Sequence, residues 1–414
     1  MQRLFLKTPL VLAIALVTAS CANTLPSGFE KSSATVAGGG RTVVTSAVPA
    51  QAPPSAQSAR TIVSVSGPLK VVVNKSFISP LTEIFGDVSV GEEVFIASNT
   101  IVRADPDTRV CIGSETNLQD NILFLALRSS PSPASACGTR ASSTHERVSI
   151  AHQAVIINSV IGNFTFVGFR SRIENAVLED GAFVLHGATV ANVRIPKDRI
   201  VPIGAVIKRQ QDADALPLKT DAHSKFQQDV LHVNHEFAEQ YGTLYTKQGF
   251  DVVTGVSAAP KTSFNPNPVK PTFGTNVSLS EFTRVVGDVR IGNNSTVGRR
   301  TSIRADEGTP IIIGDNAQID DRVTFHALEH TSLTIGKNLK TGHNVVFHGP
   351  LVAGDNLNIA TNAILFRSTV GNNVSIGERA IVVDVTLRDG VKVPDDAVIT
   401  SQDKADALYW PKRN

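Results

Sequence analysis

The chain has 414 residues, too long for one ordinary domain and suited to two of roughly 150 residues with connections. Its 39 basic and 37 acidic residues leave a net charge of +2, which excludes the broad basic field of a nucleic-acid-binding surface. Apolar residues make up 42%, aromatics only 6%, and Met1 is the sole methionine, so the core is expected to be Val, Ile, Leu and Ala. Three cysteines are too few for a disulfide-built scaffold or a four-cysteine zinc module, and the composition excludes a disordered chain, a coiled coil and a multispanning membrane protein.

The first predicted element is an export signal over residues 1–21. Arg3 and Lys7 precede an apolar stretch from Leu10 to Val17, then Thr18, Ala19, Ser20 and Cys21. The stretch is too short to span a bilayer, which takes about 20 helical residues. Small residues before a cysteine match a bacterial lipoprotein cleavage site, giving a periplasmic or membrane-anchored product lipidated at Cys21. A plain signal cut near Ala22 is the alternative. In an oxidising compartment Cys111 and Cys137 could pair; two inert thiols are the other reading. Residues 22–77 are expected to form a flexible tether, because Ser46 to Arg60 is rich in Ala, Ser, Gln and Pro. A second Pro-rich joint covers 251–277.

The two segments 78–250 and 278–414 carry one repeat twice. Ile84, Val90, Ile96 and Val102 are six apart, followed by Ile112, Leu118 and Phe124. Val285, Ile291, Val297 and Ile303, then Ile313, Ile319 and Phe325, reproduce this 201 residues later. Both runs break at the same point, between 102 and 112 and between 303 and 313. A six-residue apolar period fits neither a helix nor an amphipathic strand. It fits a parallel β-helix in which each hexapeptide forms one side of a triangular coil around a narrow dry core. The fold class is therefore all-β, with two β-helix domains. Such prisms often trimerise through their flat faces. Between the copies, Phe226, Val230, Val233, Phe237 and Tyr241 form one helical stripe ending at Gly242; the second copy has no equivalent helix.

Three of the ten histidines are grouped in the second copy: His326, His343 and His348. A catalytic zinc takes three protein ligands, often imidazoles, and keeps one position open. By spacing, 343 and 348 are nearly one period apart and 326 about one coil earlier, so they can converge along a prism edge, particularly across an interface. Hydrogen-bonded or solvated histidines are the plain alternative.

The surrounding residues run Ile303-Arg304-Ala305-Asp306-Glu307-Gly308-Thr309-Pro310-Ile311, Ile319-Asp320-Asp321, Phe325-His326-Ala327-Leu328-Glu329, Gly342-His343 and Phe347-His348-Gly349-Pro350. This resembles the gamma-class carbonic anhydrase family, left-handed β-helices that trimerise with zinc at the subunit interfaces. The resemblance covers roughly residues 78–245 and 278–408, and its left-handed coil is an exception to the usual crossover hand. It implies that His326 and His348 bind the metal from one domain and His343 from its neighbour. Arg304, Asp306 and Asp321 match interface ion-pair residues. Glu307 matches a carboxylate beside the metal-bound water, and Glu329 the proton-shuttling glutamate. Zinc lowers the pKa of its water to about 7 and supplies hydroxide to carbon dioxide, and a carboxylate exports the proton. Iron or cobalt suits the same imidazoles.

The chain departs from the pattern where Asp320 replaces the glutamine that holds the hydroxide and Gln318 replaces an asparagine. The first copy departs differently. It keeps Arg103, Asp105, Asn117, Gln119, Asp120 and His152, but Leu125 and Ile157 stand for His326 and His348, Pro106 for Glu307 and Arg128 for Glu329. A degenerate structural domain is one reading. The other is a mixed interface in which His152 joins His326 and His348, with Asn117, Gln119 and Asn234 of the helix after the first copy completing the site. The expected function is reversible hydration of carbon dioxide to bicarbonate by a homotrimer or higher assembly, with no nucleic-acid partner. A metal-dependent thioesterase or acyl hydrolase, and a non-catalytic scaffold or bicarbonate-binding protein, are the alternatives. His145, His186, His223, His232, His235 and His330 fall off the ligand pattern and are read as structural or solvated, with assistance to proton transfer as a second reading for His330, next to the shuttle position.

Overall fold

The computed structural model describes residues 63–409. The signal, Cys21 and the tether up to residue 62 lie outside them.

Two β-helical prisms follow one another, each with three sheets of seven, seven and eight strands, parallel except where Val63–Ser64 and Val72–Val73 join the first prism antiparallel. The hexapeptide residues point inward as the period requires. Ile291, Val297, Ile303, Ile313, Ile319 and Phe325 are all 3% exposed or less, and successive coils stack like on like, with the Phe325 and Phe347 rings at 4.5 Å. Strands are only two to four residues long because each coil must turn three times. The turns use left-handed backbone, which asparagine tolerates best after glycine. Asn316, Asn338, Asn356 and Asn373 sit at such corners with φ between 58° and 61°. Their side-chain amides bond one to the next at 3.0, 2.8 and 2.9 Å, forming a ladder down one edge. At Gly287 (φ 82°) a Cβ would fall onto the Ala305 carbonyl, so glycine lets the coil beneath Asp306 close.

Both prisms begin earlier than the sequence suggests. Val63–Ser64, Val72–Val73 and Ser76–Ile78 already belong to the first prism's sheets. The Pro-rich stretch supplies Val256–Ser257 and Thr272–Phe273 to the second, paired to Val285–Val286 and Arg290–Ile291. Two-residue strands show no period of their own, which hides them in the sequence. The helices are α1 (Gln210–Asp214), α2 (Asp221–Gln248) and α3 (Gln402–Tyr409). The short α1 and α3 close the two prisms alike: Gln210 and Gln402 each bond the backbone N–H and C=O of one residue in the preceding coil. Helix α2 does not stop at Gly242. That glycine is buried against Val72 with room to spare, and the helix ends at Gly249, whose φ is 87°. In the longer first-copy loop Cys111 and Cys137 are disulfide-bonded, and the Asn158 side chain pins the loop through Leu127, Ser130 and Pro131.

Both prisms belong to one compact unit, and they pack face to face through unlike sheets. The first prism offers the sheet of Phe77, Phe95, Asn117, Ser149, Phe166 and Phe183, buried throughout. The second offers the sheet of Arg304, His326, His348, Phe366 and Val383, also buried. Ala151, Phe166, Phe169, Phe183 and Leu185 form one apolar cluster with Val346, Ile364, Phe366, Ile381 and Val383. The second copy's counterpart of the first copy's buried sheet is polar. Where the first copy has Phe77, Phe95, Phe166, Phe183 and Ile200, the second has Ser278, Thr296, Asn358, Ser375 and Lys392, none of them buried. Where the second has Ile364 and Phe366, the first has Arg172 and Glu174, paired at 2.7 Å. The first copy's open face still carries the part-exposed Ile101, Leu123, Leu125 and Val155, whereas the second copy has one apolar face, whose burial favours this pairing of unlike halves.

Candidate metal centre

The seam between the prisms gathers three histidines. His326 and His348 are directly opposed on neighbouring strands of the second prism, so the coil itself aligns their rings. They are 22 residues apart rather than 18 because the loop around Leu328–Ser332 lengthens that coil. His152 reaches them from a corner of the first prism. The ring centroids form a near-equilateral triangle of 5.1, 5.2 and 5.7 Å, and all three side chains are 2% exposed or less. One nitrogen from each lies within 4.8 Å of the others.

Each ring is oriented through the nitrogen it does not offer to its neighbours. His348 Nδ1 donates to the Gly349 carbonyl at 3.1 Å, leaving Nε2, which lies 3.3 Å from His326 Nδ1. His326 Nε2 faces Asp306 Oδ1 at 3.4 Å and Glu307 Oε2 at 3.6 Å. His152 Nδ1 lies 3.3 Å from Asp120 Oδ2, and its buried Nε2 has no protein partner. Carboxylate and carbonyl partners of this kind fix the tautomer of metal-binding imidazoles. Burial holds two of the rings in the neutral, ligand form: His152 is pushed down to about 4 and His348 well below the ordinary value.

Behind the triangle runs a buried ion network joining the two copies. Arg304 bonds Asp120 of the first prism at 2.8 Å and Asp306 of its own at 3.0 Å. Ser302 donates to Asp120 at 2.7 Å, and Tyr241 of α2 donates to Asp306 at 2.5 Å. Burial alone would raise both carboxyls, but Arg304 outweighs it: Asp120 is held at about 2 and Asp306 lower still. The Arg304 guanidinium also lies over the Phe237 and Phe95 rings, 5.4 and 5.6 Å away. Burial pushes Glu307 upward; its Oε1 accepts the Glu329 N–H at 2.8 Å.

Asn117, Gln119 and Asn234 are buried, and Asn117 Oδ1, Gln119 Oε1 and Asn234 Oδ1 have no protein partner. With His152 Nε2 they make four of the ten such side-chain atoms among the described residues. His343 is not at this centre. It lies on the second prism's open face, 55% exposed, 3.0 Å from Asp320, where Asp320, Asp321 and His343 form a second, exposed grouping. Asp321 accepts the Arg299 N–H, so the ion pair that Arg304 makes across the seam uses Asp120, its first-copy counterpart. Tyr241 was legible only as part of the α2 stripe. The signal for more was its hydroxyl, the only one among those five apolar positions, since a buried tyrosine usually finds a hydrogen-bond partner.

No family model matches the chain. A carbonic anhydrase of Methanosarcina thermophila is 34% identical over 183 residues, covering 41% of this chain and 74% of that protein. The chain belongs to the gamma carbonic anhydrase family. It is a tandem-duplicated, left-handed β-helical member. A carboxysome assembly protein CcmM of a Nostoc species is 35% identical over 167 residues, 40% of this chain and 30% of that protein. A mitochondrial gamma carbonic anhydrase 2 of Arabidopsis thaliana is 28% identical over 151 residues, 36% of this chain and 46% of that protein. The chain thus spans less than a third of the length of this CcmM relative and less than half of the plant one.

Proposed function

We propose that the chain catalyses reversible hydration of carbon dioxide at one metal centre per chain, built between its two unlike copies. The observation that carries this is the buried, unpartnered Nε2 of His152 facing the aligned pair His326 and His348. Three imidazoles in a closed triangle suit zinc, and also iron or cobalt. A metal bound there would supply a water acidified to near neutral pKa. The protein's own groups do the rest. Asp306, the Gly349 carbonyl and Asp120 orient the three rings, and Arg304 locks Asp120 to Asp306 across the seam. Glu307, raised by burial, can hold a proton beside His326 and release it toward Glu329. Asn117, Gln119 and Asn234 offer free amide oxygens for hydrogen bonds to water or bicarbonate.

In this reading Asp320 and Gln318 lie outside the site, and Gln119 and Asn117 take the glutamine and asparagine positions. The first copy is then half of the active centre. The seam between unlike copies supports a site complete within one chain, and the part-exposed Ile101, Leu123, Leu125 and Val155 of the first copy leave a face for association of chains. The Cys111–Cys137 disulfide supports export. The CcmM relatives favour a second reading, a metal-free assembly protein. The deciding experiment is carbon dioxide hydration by the zinc- or iron-loaded chain against His326→Ala, with bound metal measured in both. Hydration lost in the variant carries the first reading; no bound metal in the wild type carries the second.

A further inference from the structure

We propose that His330 is the solvent-side proton carrier of this centre, accepting a proton from Glu329 and delivering it to a buffer base. The inference rests on the carbon dioxide reading and names a residue that reading does not require. Hydration of carbon dioxide to bicarbonate releases one proton per turnover, and a buried centre must pass it outward. Glu307, Glu329 and His330 rise in exposure from the seam to the surface, and Glu307 positions Glu329 through its backbone N–H. Their side chains are 8%, 37% and 79% exposed. Glu307 Oε2 is 3.6 Å from His326 Nε2, and Glu307 Oε1 bonds the Glu329 N–H at 2.8 Å. His330 Nε2 is 2.9 Å from Glu329 Oε1.

The turn that carries His330 is built rather than loose. His330 is in the left-handed corner conformation, φ 59°, and Thr331 closes the turn by donating both its N–H and its hydroxyl to the Leu328 carbonyl at 3.0 and 2.7 Å. An imidazole is the group best matched to exchange protons with buffers near neutrality. A proton on the Glu329 carboxyl passes along the 2.9 Å contact to His330 Nε2; the imidazolium so formed gives one proton to the buffer base, and the Glu329 carboxylate and the imidazole are regenerated. At the corresponding first-copy positions, Arg128 and Ser129 can form no such pair, so the relay exists only on the copy that brings two metal-binding histidines.

The test is His330→Gln in the metal-loaded full chain. At low buffer kcat should fall about tenfold, within the reach of one proton-transfer group, while kcat/KM stays unchanged, and added imidazole should restore kcat. Loss of kcat and kcat/KM together, without rescue by imidazole, overturns the role. In the metal-free chain labelled with 15N-histidine, the His330 Nε2 resonance should move on Glu329→Ala; a resonance that does not move overturns the pair. Hydration that ignores His330→Gln overturns only this role, whereas no hydration by the wild-type chain overturns the reading beneath it as well.

Discussion

Asp120→Asn should show how tightly the two copies depend on one another, because the duplication supplies its own control in Asp321→Asn. Asp120 is fully buried and accepts from Arg304 and Ser302 while facing His152 Nδ1. Arg304 holds its carboxyl down at about 2 instead of 3.8 in spite of burial, worth on the order of 2 kcal/mol. The sign follows from the depression: the stabilisation is complete above pH 3.8 and lost as pH falls through about 2. Removing one partner of a buried pair costs about 3–5 kcal/mol. Arg304 keeps Asp306, so about 3 kcal/mol is expected, the value nearest the linkage figure. The counterpart Asp321 caps an exposed Arg299 N–H, worth about 1 kcal/mol or less. Urea unfolding of the metal-free chain at pH 7.5 gives both numbers. Competition with a chelator gives a third, since loss of the carboxylate behind His152 should weaken metal binding about 10–100-fold, and only in Asp120→Asn. Equal effects of the two substitutions would refute the mixed centre.

Bound metal should disappear in His152→Ala and persist at one per chain in His343→Ala, measured by elemental analysis after dialysis. Burial pushes His186 down to about 3 while it stacks on Phe169 at 4.2 Å, so the unfolded chain binds its proton more readily below pH 6.5. At pH 5 that costs about 1.5 × 1.36, or about 2 kcal/mol. His186→Phe should therefore lose about 2 kcal/mol less stability than wild type between pH 7.5 and pH 5, whatever its effect at pH 7.5; parallel pH profiles would contradict this. The Cys111–Cys137 bridge spans 26 residues, and opening it by Cys111→Ser with Cys137→Ser should cost about 3.5 kcal/mol by loop entropy, read as a lower urea midpoint.

The coils were legible because an inward residue every sixth position is a property of the chain alone. Opposition of His326 and His348 follows from the coil once its loop length is known. Which histidine completes the triangle does not follow from the coil, because it depends on which faces meet. Yet the information was present, spread over distant positions. Phe166 against Asn358, Phe183 against Ser375 and Phe366 against Glu174 each state that equivalent faces are no longer alike. The contact from Tyr241 to Asp306 was not legible, since a helical stripe specifies burial and not the carboxylate that its one hydroxyl meets. The early starts of both prisms escaped because strands of two residues in Pro-rich sequence have no period to read.

A centre shared between separate subunits exists only while they remain associated, and its occupancy falls with concentration. Here the ligands on the two sides are joined by one polypeptide through α2 and the Pro-rich stretch, so each half sees the other at a fixed effective concentration. Metal occupancy and activity per chain should therefore hold down to any dilution at which the metal itself stays bound. Because His152, His326 and His348 each occur once in such a centre, a substitution in one copy is not repeated in the other, and the two halves are free to diverge as they have.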